Sequence, residues 1–363
     1  MRAAVLREVG APLTVEDLEL APPGPGEVLV RIEAAGVCHS DLHYMTGDLP
    51  ARLPIVVGHE GAGVVEALGP GTSGRIGVGD RVALLWRPRC GECDACVAGD
   101  PALCRFGRVL ADTNGLMDGT TRLRAGDEAV HHLMGVSCFA ERVVVSESST
   151  VAVPEGVPPE IAAISACAVI TGVGAALGVV EHAAGRPLLV LGAGGVGLAA
   201  VLGATLVGAT PVLAVDLDPA RLELAARFGA TPMPAGDDLA ERVLEATSGG
   251  VLWAIDAVGG AGTLRQALAC LAPGGTLVAV GLNRAGATVD LPINDLVQRR
   301  KRIVGALYGG ANPRLDLPRI FALYLAGRLP LDALVGARRP LDEVNEAYAE
   351  LRSGALGRTV LLP

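Results

Sequence analysis

The stretch LLVLGAGGVGLAAVLGATLVGATPVLAVD, residues 188–216, decides the fold. It predicts a buried strand at Leu188–Leu191, a helix over Val196–Gly208 and a second strand at Val212–Val215. Between the first strand and the helix, Gly192 to Gly197 match the pattern G-x-G-x-x-G. Strands and helices continue to alternate beyond this stretch. Such alternation predicts an α/β fold with a doubly wound parallel sheet of the Rossmann type.

The glycine pattern indicates a dinucleotide site, because glycines let the backbone approach a pyrophosphate at a helix N-terminus. Asp216 lies 19 residues after Gly197, at the end of the next strand, where a carboxylate accepts hydrogen bonds from the adenosine ribose. A carboxylate there repels a 2′-phosphate, so Asp216 favours NAD over NADP. The alternative is that the glycines only pack a helix against a strand. The expected cofactor contacts in the loop are Gly192, Gly194, Gly195, Val196 and Gly197.

Two long uncharged runs, Ile161–Val180 and Pro187–Val215, raise the possibility of a membrane protein, since about 20 residues span a bilayer. The second run contains six glycines and Pro211, and it divides into strand, helix and strand. A spanning helix would need to be continuous. We therefore expect no membrane segment. The N-terminus has scattered charges and no apolar signal region, which predicts a cytoplasmic protein.

Composition excludes other classes of protein. Of 363 residues, 50% are hydrophobic and 19% are charged, which suits two domains with their own cores and excludes general disorder. The net charge is −9, and the one dense basic run is Arg299–Arg302. A groove for nucleic acid needs many clustered basic residues. We therefore expect no nucleic-acid partner.

Four cysteines fall in one 15-residue stretch with the spacing C-x2-C-x2-C-x7-C. Four thiolates on loop backbone suit one tetrahedral metal with no open position, which would stabilise a segment that has little apolar periodicity. An iron–sulfur cluster is the rival, but the ferredoxin run continues with three residues and then Cys-Pro. Zinc fits better than that cluster or four unrelated thiols. The ligands are Cys90, Cys93, Cys96 and Cys104, in a lobe near residues 87–110.

A second group of metal-binding residue types surrounds Cys38. Three of the six histidines, His39, His43 and His59, lie within 21 residues of it, and Cys167 comes just before the dinucleotide unit. Either cysteine alone would be a small hydrophobic residue, and a lone histidine usually packs in a core. Together they offer two thiolates and an imidazole with room for a fourth ligand, which is a catalytic zinc set.

The chain resembles the zinc-dependent alcohol dehydrogenases of the medium-chain dehydrogenase/reductase superfamily along its whole length. The matching motifs are GVCHSDLH at 36–43, GHEGAGVV at 58–65, the four-cysteine lobe, CAVITG at 167–172, GAGGVG at 192–197 and VDLDPARLELA at 215–225. The resemblance implies a β-rich GroES-like catalytic domain at 1–168 and 308–363, and a Rossmann domain at 169–307. Within the superfamily, the chain is most similar to actinobacterial formaldehyde-dehydrogenase-like and nitrosoaniline-reducing enzymes.

The resemblance also implies roles for single residues. Cys38, His59 and Cys167 would hold the catalytic zinc, Asp41 would orient His59, and Glu60 would lie close to the metal. Ser40 would take the proton of the alcohol and pass it towards His43 near the surface. Further cofactor contacts would be Thr171, Asp216, Arg221, Arg358 and His39, the last at a position often filled by Arg. The apolar substrate channel would be lined by Leu49, Trp86, Leu103, Val109 and Phe139.

The expected function is transfer of hydride between a primary or aromatic alcohol, or its aldehyde, and NAD, by a homodimer with two zinc ions per chain. Two alternatives remain within the family: a thiol-adduct formaldehyde dehydrogenase of the glutathione or mycothiol type, and an enzyme that cycles with tightly bound NADH. A zinc-stabilised binding protein without catalysis is the alternative outside enzymes. Ala168 and Ile170 replace the Gly and hydroxyl residue of many relatives, which would tighten the nicotinamide pocket.

Overall fold

The computed structural model describes residues 1–363, which divide into two compact units. The first unit comprises Met1–Cys167 and Asn312–Pro363, and the second comprises Ala168–Ala311. Each unit has its own sheets and its own buried apolar residues.

The chain has nineteen strands and twelve α-helices. The strands are β1 (Arg2–Leu6), β2 (Thr14–Asp17), β3 (Glu19–Leu20), β4 (Glu27–Gly36), β5 (Ile55–Val56), β6 (Glu60–Leu68), β7 (Arg81–Leu84), β8 (Leu123–Ala125), β9 (Glu128–His132), β10 (Arg142–Ser146), β11 (Thr150–Ala152), β12 (Leu188–Leu191), β13 (Val212–Asp216), β14 (Thr231–Pro234), β15 (Val251–Asp256), β16 (Leu271–Ala279), β17 (Arg302–Gly305), β18 (Val335–Pro340) and β19 (Arg358–Leu362). The helices are α1 (His39–Met45), α2 (Asp94–Val97), α3 (Arg105–Thr113), α4 (Pro159–Ile164), α5 (Ile170–Gly174), α6 (Gly195–Leu206), α7 (Pro219–Arg227), α8 (Leu239–Ala246), α9 (Ala261–Cys270), α10 (Ile293–Gln298), α11 (Pro313–Leu325) and α12 (Val344–Ser353).

The second unit contains the predicted doubly wound sheet. Its six strands lie in the order β14-β13-β12-β15-β16-β17, and every neighbouring pair is parallel. Strand β12 is buried along its whole length, because helices cover both faces of such a sheet. The sheet reverses its winding between β12 and β15, and in folds of this kind the ligand crevice lies at that reversal. The α/β prediction is therefore confirmed.

The first unit is built on two mainly antiparallel sheets. One has the order β2-β1-β5-β9-β8-β3, and the other has the order β11-β7-β6-β4-β19-β18, with β10 also pairing with β4. Strand β4 alternates apolar and polar residues through Val28, Val30 and Ile32, so that one face enters the core. The end of β4 and the start of β6 pair through Gly36 and Glu60, which brings the two strand ends that carry Cys38 and His59 together.

The uncharged run around Cys167 forms one continuous helical stretch, Pro159–Val179, which is long and apolar enough to cross a membrane. However, 89% of its most apolar window is buried inside the protein, as expected for a core helix that is hydrophobic on every side. The stretch contains two π-helical segments, Ser165–Val169 and Ala175–Val179. Segments of π-helix often occur at functional sites, and the first of them contains Cys167.

Several elements of the structure were not predicted. The residues between 87 and 135 carry α2, α3, β8 and β9, although their sequence has little apolar periodicity. Near the C-terminus the chain returns to the first unit, where β19 pairs with β4 and β18 pairs with β19. Pairing between residues so distant in sequence leaves no local pattern.

Candidate active site and the second cysteine cluster

The first cluster, which we call the mixed cluster, comprises Cys38, His59, Glu60 and Cys167. Cys38 follows β4 and caps α1, where its Sγ accepts the backbone N–H of Ser40 at 3.5 Å. Gly58, with φ of 93°, turns the chain just before β6, so that His59 precedes the strand and Glu60 begins it, both buried in the core. One ligating atom from each of the four residues lies within 4.8 Å of the others, and all four residues are buried.

Asp41 holds the ring of His59. The distance from Nδ1 of His59 to Oδ1 of Asp41 is 2.8 Å, and the same oxygen accepts the backbone N–H of Gly58. Burial lowers the pKa of His59, but the negative charges of Asp41 and Cys38 outweigh it and hold the pKa well above its usual range. With Nδ1 occupied, Nε2 faces the thiols, at 3.3 Å from Sγ of Cys167. Carboxylates orient metal-binding histidines in this way.

Glu60 and Arg358 form a buried ion pair that the sequence did not predict. Nη2 of Arg358 lies 3.2 Å from Oε1 of Glu60, and the glutamate is fully buried. Burial raises the pKa of Glu60 to about 8, against the opposing charge of Arg358. Arg358 also donates to the carbonyl of Val37 at 3.2 Å. Its position in β19 therefore fixes it beside the mixed cluster, whereas the sequence offered only a cofactor contact for it.

The donor set of the mixed cluster fits a catalytic metal. Two thiol sulfurs and one imidazole nitrogen converge in a buried place, and Glu60 adds a fourth group at the same point. A catalytic zinc has three protein ligands of this kind and leaves one position open. Trp86 packs edge-on against the His59 ring, with 6.2 Å between the ring centroids, and so shields one side of the cluster from water.

The second cluster, which we call the thiol cluster, comprises the four cysteines between 90 and 104. Its sulfur–sulfur distances include 3.7 Å for Cys104–Cys90, 4.0 Å for Cys90–Cys96 and 4.0 Å for Cys93–Cys104. A tetrahedron with zinc–sulfur bonds of about 2.3 Å has edges of about 3.8 Å. Disulfides need about 2.05 Å, so these distances suit a metal. Backbone N–H groups of Arg105 and Cys96 lower the pKa of Cys93 to about 6, which favours the thiolate that a metal binds.

The expected proton-relay residues lie on α1. Ser40 is half-buried, two residues after Cys38, while His39 is exposed at the start of the helix. His43 lies at the end of α1, and 23% of its side chain is exposed. Nδ1 of His43 is 3.1 Å from Oδ2 of Asp48, a contact that the sequence did not predict.

The glycine loop of the second unit has the backbone that a phosphate site needs. Gly192 has φ of 86°, and Gly194 precedes the first turn of α6. A Cβ atom on Gly197 would lie 1.6 Å from the carbonyl oxygen of Gly192, so only glycine fits there. Asp216 ends β13 and accepts the N–H of Ala193 at 2.7 Å, which places the carboxylate against the loop.

Two other expected cofactor contacts also lie in the second unit. Arg221, on α7, lies 3.9 Å from Oδ2 of Asp216. Thr171, on α5, is buried, with 7% of its surface exposed.

The expected substrate walls are only partly brought together. A small cavity in the first unit is lined by Tyr44, Trp86, Arg87, Gly107, Leu110, Ala111, Asn114 and Met134. Of the five residues expected to line the substrate channel, Trp86 is the one that lines this cavity. Leu103 is 63% exposed, Phe139 is fully buried against Gly58 and Tyr348, and Leu49 and Val109 are half-buried. The sequence missed Arg87, whose guanidinium lies over the Trp86 ring at 5.1 Å.

Comparison with known proteins places the chain in a class. Residues 24–155 match the family model for the alcohol dehydrogenase GroES-like domain, and residues 195–325 match the model for zinc-binding dehydrogenases. The NDMA-dependent alcohol dehydrogenase of Amycolatopsis methanolica is 40% identical over 99% of this chain and 98% of its own length. The S-(hydroxymethyl)glutathione dehydrogenase of Komagataella pastoris is 34% identical over 99% of this chain and 97% of its own length.

A solved structure agrees with these relatives. Benzyl alcohol dehydrogenase from Acinetobacter calcoaceticus superposes with a TM-score of 0.92 at 34% identity, covering 99% of this chain and 98% of the other. The chain therefore belongs to the zinc-dependent alcohol dehydrogenases of the medium-chain dehydrogenase/reductase superfamily. The family expected from the sequence is confirmed, and the protein is an oxidoreductase of the alcohol dehydrogenase type.

Proposed function

We propose that the protein is an NAD-dependent alcohol dehydrogenase that holds two zinc ions per chain. The observation that carries the proposal is the mixed cluster, in which Cys38, His59 and Cys167 converge. The carboxyl groups of Asp41 and Glu60 lie beside them. The thiol cluster would hold the second zinc and stabilise its lobe. We further propose that the first unit is the catalytic domain and the second unit the dinucleotide-binding domain.

The residues of the mixed cluster have separate tasks in this proposal. When bound, zinc acts as a Lewis acid that makes the hydroxyl of an alcohol more acidic. Asp41 holds the His59 ring so that Nε2 remains available as a ligand. Glu60 and Arg358 place a carboxyl group and a guanidinium side by side next to the ligands, and burial raises the pKa of that carboxyl to about 8. Ser40 accepts the proton of the alcohol, and His43, which is partly exposed, passes it to water.

NAD is the proposed hydride acceptor, bound at the glycine loop of the second unit. The support is Gly197, which lets α6 approach the loop closely, and Asp216, whose carboxylate ends β13 beside it. In Asp216→Ala we expect the KM for NAD to rise about 10- to 100-fold, the value of charged hydrogen bonds, and discrimination against NADP to disappear. Asp218→Asn, which removes one charge two residues away, is the matched control. A wild-type preference for NADP would contradict the proposal.

The proposed substrates are primary or aromatic alcohols and their aldehydes. The test is a panel of alcohols with NAD and NADP, together with zinc analysis of the same preparation. We expect turnover of benzyl alcohol with NAD and about two zinc ions per chain. Zinc without any turnover would instead indicate a binding protein that had lost catalysis, and iron would contradict the metal assignment.

Two specific alternatives come from the relatives named above. One relative is called NDMA-dependent, which favours an enzyme that keeps NADH bound and oxidises it back to NAD+ with a second substrate. Turnover that requires NDMA, with NADH released only on denaturation, would establish that alternative. Another relative is an S-(hydroxymethyl)glutathione dehydrogenase. Formaldehyde oxidation that occurs only after a low-molecular-weight thiol is added would favour this thiol-adduct chemistry.

We also propose a homodimer in the cytoplasm. Strand β17 is an exposed edge strand of the parallel sheet, with Ile303 and Val304 at its surface, and nearby in sequence α10 exposes Ile293 and Val297. An uncovered apolar edge is a pairing surface. None of the eight cysteines forms a disulfide, which suits a reducing compartment. Light scattering on the wild type and on Val304→Glu tests this; a monomeric wild type would contradict it.

A further inference from the structure

The contact of His43 with Asp48, near the end of α1, lies outside the mixed cluster. His43 and Asp48 form a close pair, with 3.1 Å between Nδ1 and Oδ2, and the hydroxyl of Thr46 lies 2.9 Å from the same carboxylate oxygen. The chain is held in this turn because Leu49 donates its N–H to the carbonyl of His43 at 3.0 Å. This backbone hydrogen bond holds the segment that carries Asp48 close to His43.

The pair determines which nitrogen of His43 carries the proton. An ionised carboxylate can only accept hydrogen bonds, so the Nδ1 atom that faces Asp48 is the protonated one. In a neutral imidazole the other nitrogen, Nε2, is then the acceptor. Asp41 lies on the same helix but is turned inwards to His59, and Glu8 lies exposed in the turn that packs on the end of α1. Asp48 is therefore the carboxylate that acts directly on this ring.

We propose that Asp48 is a positioning residue for His43, which fixes Nε2 as the atom that accepts the proton released by the alcohol. The inference rests on the proposed function, in which His43 ends the relay from Ser40. In the step, the O–H bond of the alcohol breaks, and one proton moves through the Ser40 hydroxyl so that an N–H bond forms at Nε2. The imidazolium then releases a proton to water. The side chains are 23% and 39% exposed, so water reaches both.

The experiment measures kcat/KM for benzyl alcohol as a function of pH in the wild type and in Asp48→Asn. Without the carboxylate, Nδ1 and Nε2 compete for the proton of the neutral ring, so fewer molecules present Nε2 as the acceptor. We expect the plateau of kcat/KM to fall about two- to fivefold, the range that an exposed ion pair carries. The KM for the alcohol should stay unchanged, because Asp48 does not touch the substrate.

Three further variants separate positioning from a structural role. Glu8→Gln removes a neighbouring surface charge and should behave as the wild type. His43→Gln should lower the plateau of kcat/KM at least as far as Asp48→Asn does, and adding Asp48→Asn to it should cause no further change, because the two residues act as a unit. A profile for Asp48→Asn that matches the wild type, or an equal loss in the His43→Gln background, would overturn the inference. A wild type that turns over no alcohol would instead reject the proposed function itself.

Discussion

The mixed cluster and the thiol cluster both gather cysteines, but the chain builds them in opposite ways. The thiol cluster takes four residues from one 15-residue stretch and uses sulfur alone. The mixed cluster joins Cys38 and His59, beside two paired strands of one sheet, to Cys167 in a π-helical segment, and it adds the buried contact of Glu60 with Arg358. The difference teaches that a site closed by local thiols can stabilise a lobe, whereas a reactive site needs ligands that the whole unit positions.

The largest effect is expected from Cys38→Ser. The mixed cluster should lose its zinc, and turnover should fall about a thousandfold or more, since Lewis-acid stabilisation contributes several kcal/mol. The thiol cluster should keep its zinc, so zinc analysis should give one ion per chain. Cys270→Ala, which removes a buried cysteine of the second unit, is the control and should keep both ions. Undiminished turnover in Cys38→Ser would show that the mixed cluster does not hold a zinc ion that turnover needs.

The next effect is the loss of the lobe in Cys104→Ser. Metal binding at four-ligand sites supplies folding free energy directly, so limited proteolysis should cut between Cys90 and Thr113 far sooner than in the wild type. Zinc analysis should again give one ion per chain, this time retained by the mixed cluster. A variant that keeps two ions and resists proteolysis would show that the thiol cluster holds no metal.

A smaller effect is expected from Asp41→Asn, which sharpens the comparison because only the mixed cluster has such a partner. Loss of a carboxylate behind a metal-binding histidine lowers metal affinity about 10- to 100-fold. Competition with a zinc chelator should therefore release one ion per chain more readily, while the other is held as in the wild type. Equal weakening of both ions would indicate general destabilisation instead.

The smallest effect concerns a buried histidine outside both clusters. His132 is as buried as His59, yet the hydrogen bond recorded for its ring comes from the backbone N–H of Arg122. Burial lowers the pKa of His132 to about 3. Because the unfolded chain takes up the proton first as the pH falls, the folded state should lose about 2 kcal/mol between pH 7 and pH 5 from this residue.

In His132→Gln, the free energy of unfolding, measured with denaturant, should change by about 2 kcal/mol less between pH 7 and pH 5 than it does in the wild type. Both zinc ions and turnover should be retained. An unchanged pH dependence would contradict the account. The contrast between His132 and His59 would then not support the idea that a buried histidine without a carboxylate partner stays neutral.

The parts of the molecule that depend on neighbours in sequence were predictable. The glycine loop, the strands around it and the four cysteines each lie within a short stretch of sequence. Their structure depends on residue types at nearby positions, which the sequence displays directly. The ion pair of Glu60 with Arg358, and the contact of His59 with Trp86, join residues that only the folded sheets bring together. Cys167 is distant in sequence from the other proposed ligands, so spacing alone did not assign it, and the resemblance to a family gave its role. Leu103 shows the limit of that route, because the structure places it at the surface.

The most direct test follows metal, turnover and lobe integrity in one sample during slow chelation of the zinc enzyme. The mixed cluster, for which we propose a zinc with three protein ligands, should release its ion first, and turnover should disappear with that first ion. The segment from Cys90 to Thr113 should stay resistant to proteolysis until the second ion leaves. Turnover that survives loss of the first ion, or a lobe that opens with it, would contradict the division of tasks between the two clusters.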